Sequence, residues 1–271
     1  MNHEQQRRYL IRQLLSQLPY NAGIDAESMA IPGEEGDQKR LLRNLMNIRP
    51  PRPASPEFLA VQDAYLKEEA RREGIVDVFR LPSCSLDSRL VLFKGDITTL
   101  KADAIVNAAN SAMLGCFHPL HGCIDNIIHF KSGVQLRLYC SELMEEQGHE
   151  EEVGKAKITP AFNLPCRYIL HTVGPLVYGA VTDEDRSKLA SCYRSCLEQA
   201  AGNDCKSVVF CCISTGEYHF PNKEAASIAV DTVREFLRTD RKMERIIFDV
   251  FTEKDLCIYR KLLGEDRCRE K

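Results

Sequence analysis

The segment Leu114-Gly-Cys-Phe-His-Pro-Leu-His-Gly-Cys-Ile-Asp-Asn126 brings two thiols, two imidazoles and a carboxylate together directly after Asn107-Ala-Ala-Asn110. Sulfur and imidazole donors at this density suit zinc better than a hard cation. Three of them are enough to hold the ion and leave a coordination position open, which marks a catalytic rather than a structural zinc. Cys116, His121 and Cys123 make one such set, and on spacing alone His118 can replace His121. Asp125 falls on the first turn of the following helix, where it can orient water or substrate, or simply favour the positive helix end.

Three further segments carry donors and acceptors suited to a nucleotide. In Gly95-Asp-Ile-Thr98, Asp96 leaves an apolar run, placed either to accept from an adenine amino group or to cap its own turn. Asn107 and Asn110 follow a second apolar run; each amide offers a donor and an acceptor, enough to grip a ribose diol or to shape a turn. Ser214-Thr-Gly-Glu-Tyr-His-Phe-Pro221 is a small-residue loop before a helix, and exposed N–H groups at such a place cradle phosphate or pyrophosphate. A chain of formal net charge -3 can thereby take a dianionic ligand without a basic surface. Tyr218 and Phe251 can each set a ring against a base or ribose, or pack in the core.

The elements that must position these groups are legible from residue 89 onward. Apolar runs at 90–93, 104–106, 156–162, 168–173, 208–213 and 246–251 read as strands. Helical patterns at 124–146, 185–201, 224–237 and 254–263 alternate with them. This alternation predicts a mixed, largely parallel sheet covered by helices on both faces. Ligands of such sheets bind beyond the C-terminal strand ends, where all the segments above fall. The first ninety residues differ: helices over 5–18 and 38–46, a proline-broken connector at 48–56, then a helix capped by Ser55 with Pro56 at its first position.

Composition restricts the function classes. The mildly acidic charge gives no general footprint for nucleic acid, and no apolar stretch is long enough to span a bilayer. Residues 1–20 carry charges and no apolar leader core, so the 12 cysteines read as reduced thiols of a cytoplasmic protein. A few serve as metal ligands; the others, including Cys140, Cys192, Cys196, Cys211 and Cys212, read as small core residues. The amphipathic series Leu10, Ile11, Leu14, Leu15 and Leu18 leaves a mitochondrial presequence as the alternative.

Taken in order, Gly95-Asp-Ile-Thr98, Val106-Asn-Ala-Ala-Asn110, Cys123-Ile-Asp-Asn-Ile-Ile-His129, His171-Thr-Val-Gly-Pro175 and Ser214 to Pro221 resemble the macrodomain family of ADP-ribose-binding modules over roughly residues 78 to 265. Gly115 to Cys123, in place of a Gly-rich loop, looks like the zinc-dependent branch, as do Met46-Asn-Ile-Arg-Pro-Pro51 and Phe58-Leu-Ala-Val-Gln-Asp63 in the N-terminal extension. The resemblance implies a three-layer α/β/α sandwich with a mixed sheet over 78–271, preceded by a helical extension over 1–77. It also implies a hydrolase that removes mono-ADP-ribose from O-linked (acidic or hydroxyl) side chains of modified proteins, with one zinc held by Cys116, His121 and Cys123. Asp96 and Ile97 are then expected at the adenine, with Phe251 stacked on it. Ser214, Thr215, Gly216, Glu217, Tyr218 and Phe220 are expected around the pyrophosphate and proximal ribose. Asn107 and Asn110 would face the distal ribose, with Asp125 beside the scissile bond and Asp125 and Asn110 as the catalytic residues. The rival expectations are a non-catalytic ADP-ribose reader with a structural zinc, and an interaction module in which the N-terminal helices do the work.

Overall fold

Three helices lead the chain in this computed structural model, which describes residues 1–18 and 30–265. α1 (His3–Leu15) starts in a capping box: the Asn2 side chain accepts from the Gln5 N–H and the Gln5 side chain accepts from the Asn2 N–H. α2 (Glu35–Ile48) follows, then α3 (Pro56–Glu73), where the Ser55 hydroxyl accepts from the Phe58 N–H and Pro56 occupies the first turn, as the sequence predicts. Leu10, Ile11, Leu14, Leu42, Leu45, Phe58 and Tyr65 meet in an apolar core belonging to these helices. Val134, from a later helix, closes it.

β1 (Val76–Asp77) and β3 (Leu100–Lys101) form a short parallel pair that the sequence does not reveal. β2 (Leu90–Lys94), β4 (Ala104–Ala109), β5 (Ala156–Pro160), β6 (Tyr168–Val173), β7 (Ser207–Phe210) and β8 (Arg245–Val250) build a six-stranded sheet in the order β2-β8-β7-β4-β6-β5. Every neighbouring pair is parallel except β5 with β6, so the expected mixed sheet is found. Ile105, Val106, Ile169, Leu170, Val208, Val209, Ile246 and Ile247 are wholly buried. A parallel sheet covered on both faces requires such continuous apolar runs in place of alternation. α6 (Asp183–Gly202), α7 (Asn222–Thr239) and α8 (Glu253–Leu262) pack side by side, while α4 (Ile124–Ser132) and α5 (Val134–Gln147) lie against β4 and β5.

The single helix expected over 124–146 is in fact two. Gly133, with φ 100 and ψ 172, separates α4 from α5 in a conformation essentially confined to glycine. The break is filled from outside: Gln62 of α3 accepts from the Val134 N–H at 3.0 Å, and Asn163 donates to the Ser132 carbonyl at 2.9 Å. A Cβ at this position would lie 2.6 Å from Gln62 Nε2 and 2.9 Å from Asn163 Nδ2. The break frees α4 to point its first turn, with Asp125, at the sheet edge independently of α5. Gly133→Ala is therefore expected to destabilise the fold by about 1–3 kcal/mol or more. Equilibrium urea unfolding checks this, and an unchanged midpoint would contradict it.

Candidate active site

The loops leaving β2, β4, β7 and β8 converge on a cavity of about 660 Å³, within the size range of small-molecule sites. Its wall includes Asp96, Ile97, Asn110, Asp125, Phe251 and the run Ser214–Tyr218, together with Cys116, His121 and Cys123. Sequence-distant segments thus share one site.

Cys116, His121 and Cys123 place one donor atom each within 4.8 Å of one another. Both cysteines are free thiols, and His121 Nδ1 is buried without a hydrogen-bond partner. The alternative ligand, His118, is exposed and lies edge-on to His121 at 5.5 Å between ring centroids, outside this group. Burial, then the neighbouring Cys116 thiol and the Asp125 carboxylate, push the Cys123 thiol up to about 12. A second group of possible donors, His129, Cys140 and His171, is fully buried behind the first. There His171 is already engaged on both nitrogens, by Asn107 at 3.1 Å and Thr159 at 3.0 Å, which suits a packed polar core better than a metal.

Asp125 stands between the two groups. It is almost wholly buried, its Oδ1 accepts from Asn107 Nδ2 at 2.8 Å and its Oδ2 from Asn110 Nδ2 at 3.3 Å. Burial pushes it up to about 6, against the pull of the Asn107 amide and the Arg137 charge. His129 Nε2 lies 3.5 Å from Oδ1, and burial with the neighbouring His171 and Arg137 holds that imidazole well below its ordinary pKa, hence neutral. The His129 ring packs under Gly115, where a Cβ would lie 2.7 Å from it.

At the other end, the β7–α7 turn is closed by Phe220 N–H donating to the Ser214 carbonyl at 2.9 Å, with Ser214 at φ 64. The N–H groups of Gly216, Glu217 and Tyr218 meet no backbone acceptor among the described residues, as an anion cradle requires. Asp96 caps its own turn through Thr98 at 2.9 Å and accepts from Lys131 at 2.9 Å. Burial works against its charge, but Thr98 and Lys131 hold Asp96 below the usual carboxylate range, so it stays an acceptor. Phe251 is 81% exposed at the cavity mouth.

Two expected ligand contacts sit elsewhere. Asn107 is wholly buried and turned away from the cavity, held between Asp125 and His171, so it positions the carboxylate and does not face a ribose. Phe220 is buried in the sheet core, because the turn that exposes Gly216 and Glu217 folds its ring inward.

Other participants were not singled out by spacing. Arg43, on α2, donates to the His121 carbonyl at 2.7 Å and to Asn126 Oδ1 at 2.7 Å, and lines the cavity. Asn47 Oδ1 accepts from the Leu120 N–H at 3.1 Å. Arg137 donates to the Leu114 carbonyl at 2.7 Å and spans to the end of α2. Nothing local in the sequence ties α2 to this loop. Asp249 lines the opposite wall, and an acid within the apolar run 246–251 was a signal available for it. Arg43→Met, which keeps the length and removes the donors, is expected to speed amide exchange across residues 116–123 by about tenfold or more, since hydrogen bonds to charged groups contribute about 1.5–3 kcal/mol. Hydrogen–deuterium exchange of wild type and variant checks this; matching rates would mean Arg43 does not hold the loop.

Residues 106–229 match the Macro domain family. The chain is 51% identical over 266 residues to a Treponema medium protein named Protein-ADP-ribose hydrolase, spanning 97% of this chain and 100% of that protein. A Staphylococcus aureus (strain MSSA476) protein of the same name is 47% identical over 243 residues, 89% of this chain and 91% of its own length. Among solved structures, the Trypanosoma brucei macrodomain in complex with ADP-ribose superimposes with a TM-score of 0.64 at 29% identity, covering 82% of this chain and 95% of that one. With half its residues shared along almost the full length of one such relative, this chain belongs to the macrodomain family.

Proposed function

We propose that this protein is a protein-ADP-ribose hydrolase that removes mono-ADP-ribose from O-linked acidic or hydroxyl side chains, with one zinc at Cys116, His121 and Cys123. The observation that carries the reading is the sharing of one cavity by the soft donor triad, the buried Asp125 and an anion-cradling turn. The names of the Treponema and Staphylococcus relatives, and the ADP-ribose bound to the Trypanosoma macrodomain, support the substrate class.

The donor set fits zinc. Two thiols and an imidazole converge, His121 Nδ1 lacks a partner, and a cation is the charge that would offset the burial opposing ionisation of Cys123. When bound there, zinc supplies Lewis-acid chemistry to water or to a substrate oxygen.

The remaining steps fall to the chain's own residues. Asp96 and Phe251 take the adenine, as acceptor and as stacking ring, and the N–H groups of 216–218 take the pyrophosphate. The distal ribose is thereby carried toward Asn110 and Asp125. Water attacks the anomeric carbon, its oxygen forming the new bond as the bond to the side-chain oxygen breaks. Asp125 accepts the proton of the water and passes it to a departing hydroxyl oxygen, or to solvent when the departing group is a carboxylate that leaves as the anion. With a pKa near 6, Asp125 is mostly ionised at neutral pH and basic enough for this role. Its charge also stabilises the oxocarbenium character that develops on the sugar. Asn107, from behind, keeps the carboxylate aimed. The modified protein is the partner, and the reduced thiols that the site needs suit the cytoplasm.

Release of ADP-ribose from a protein modified on a glutamate or serine is expected to stop with a zinc chelator and return on adding zinc. Release unaffected by the chelator would overturn the metal's role, and binding without release would make the protein a reader. Asp125→Asn is expected to lower the rate about a hundredfold or more while ADP-ribose affinity stays within about tenfold. Full activity in that variant, measured beside its calorimetric Kd, would remove Asp125 from the mechanism.

A further inference from the structure

Asp249 is an acid in the penultimate position of β8, a strand otherwise apolar and buried apart from its first residue. In register with Phe93 of β2, it reaches the C-terminal edge of the sheet and enters the cavity wall beside Gly95 and Asp96. The residue is only 7% exposed, and its Oδ1 is buried with no hydrogen-bond partner. No role described above uses it. A buried carboxyl oxygen without a partner is costly, the more so when charged.

The surroundings give the charged form little help. Asp96 faces it from the loop after β2, and the Cys211 and Cys212 thiols face it from beyond β7, with Asp255 of α8 close to Cys212. Lys131, the ammonium on the adenine side, is engaged by Asp96 and Glu73. The Gly95 N–H alone favours ionisation.

We propose that Asp249 is a second base-reading residue of the cavity: a neutral carboxyl that donates a hydrogen bond to an adenine ring nitrogen while ionised Asp96 accepts from the adenine amino group. The inference rests on the ADP-ribose reading of this cavity. Adenine presents an amino donor beside a ring-nitrogen acceptor. An acceptor carboxylate beside a donor carboxyl is the complementary pair, and each is used in the protonation state its surroundings impose. Hypoxanthine, with an oxygen in place of the amino group, would set an acceptor against Asp96, and a site built for a hydrogen bond rejects the analogue that cannot make it. Burial, then the charge of Asp96, push Asp249 up to about 8, so the proton is present at neutral pH. Below that value the donor is intact, and as pH rises through it two carboxylates come to face one base and affinity falls.

Calorimetric titration of the full chain with ADP-ribose between about pH 6.5 and pH 9.5, for wild type, Asp249→Asn and Asp249→Leu, tests this. Wild-type affinity is expected to fall about tenfold or more across that range. Asp249→Asn, whose amide keeps a donor that does not titrate, should give a flat profile. It should also melt no lower than wild type at about pH 8, because it holds no buried acid whose ionisation opposes folding. Asp249→Leu should bind about tenfold more weakly than wild type at the acid end. A flat wild-type profile, an Asp249→Asn profile that falls in parallel with wild type, or wild-type affinity in Asp249→Leu would each overturn the inference and leave the hydrolase reading standing. Absence of binding by folded wild type at every pH would overturn both.

Discussion

A guanidinium inside the protein, that of Arg137, holds the site's two halves together. Burying a cation costs several kcal/mol unless its donors are used, and here burial brings Arg137 down to about 10. Its donors are used on carbonyls: Leu114 at the start of the loop that carries Cys116, His121 and Cys123, and Met46, Asn47 and Arg49 at the end of α2. The last three are what a helix terminus leaves unsatisfied, so one side chain caps α2 and docks it. Phe117 covers the guanidinium at 4.1 Å from its ring centroid, and Asp125 offsets its charge from the cavity side. With Arg43 of α2 reaching the same loop at the His121 carbonyl, the N-terminal helices are part of the cavity wall.

The cavity is organised by how each acid is solvated. Asp96, supplied with Thr98 and Lys131, stays charged; Asp125, held by two amides in a buried setting, sits near neutrality; Asp249, with a single backbone donor, is pushed highest. These three acids of one cavity are thereby given different proton affinities by burial, hydrogen bonding and the charges beside them.

Much of this was readable in the chain because it is local. β6 occupies the residues that the apolar run marks, Ser55 caps α3, and the donor triad lies within one loop. What could not be read depends on groups distant in sequence. The periodicity of 124–146 runs through Gly133 without interruption, since the break is made by Gln62 and Asn163. His118 and His121 have equivalent credentials as ligands until the loop's path exposes one of them. Asn107 and Asn110 look alike in sequence, but the first lies on β4 with its amide in the interior and the second just past the strand end. Arg43 belongs to a helix whose connection to the site is purely tertiary.

The parallel pairing of β2 with β8, Leu90 opposite Ile246, has a consequence for synthesis. The cavity draws its walls from Arg43 at one end of the chain and from Asp249 and Phe251 near the other. Contacts so distant along the chain form late, after the loop-closure entropy has been overcome. A chain emerging from the ribosome can assemble its leading helices early, yet it has no complete cavity until β8 has slotted between β2 and β7. A ligand of this cavity can therefore stabilise only the finished protein, as a check on completion rather than a template for folding.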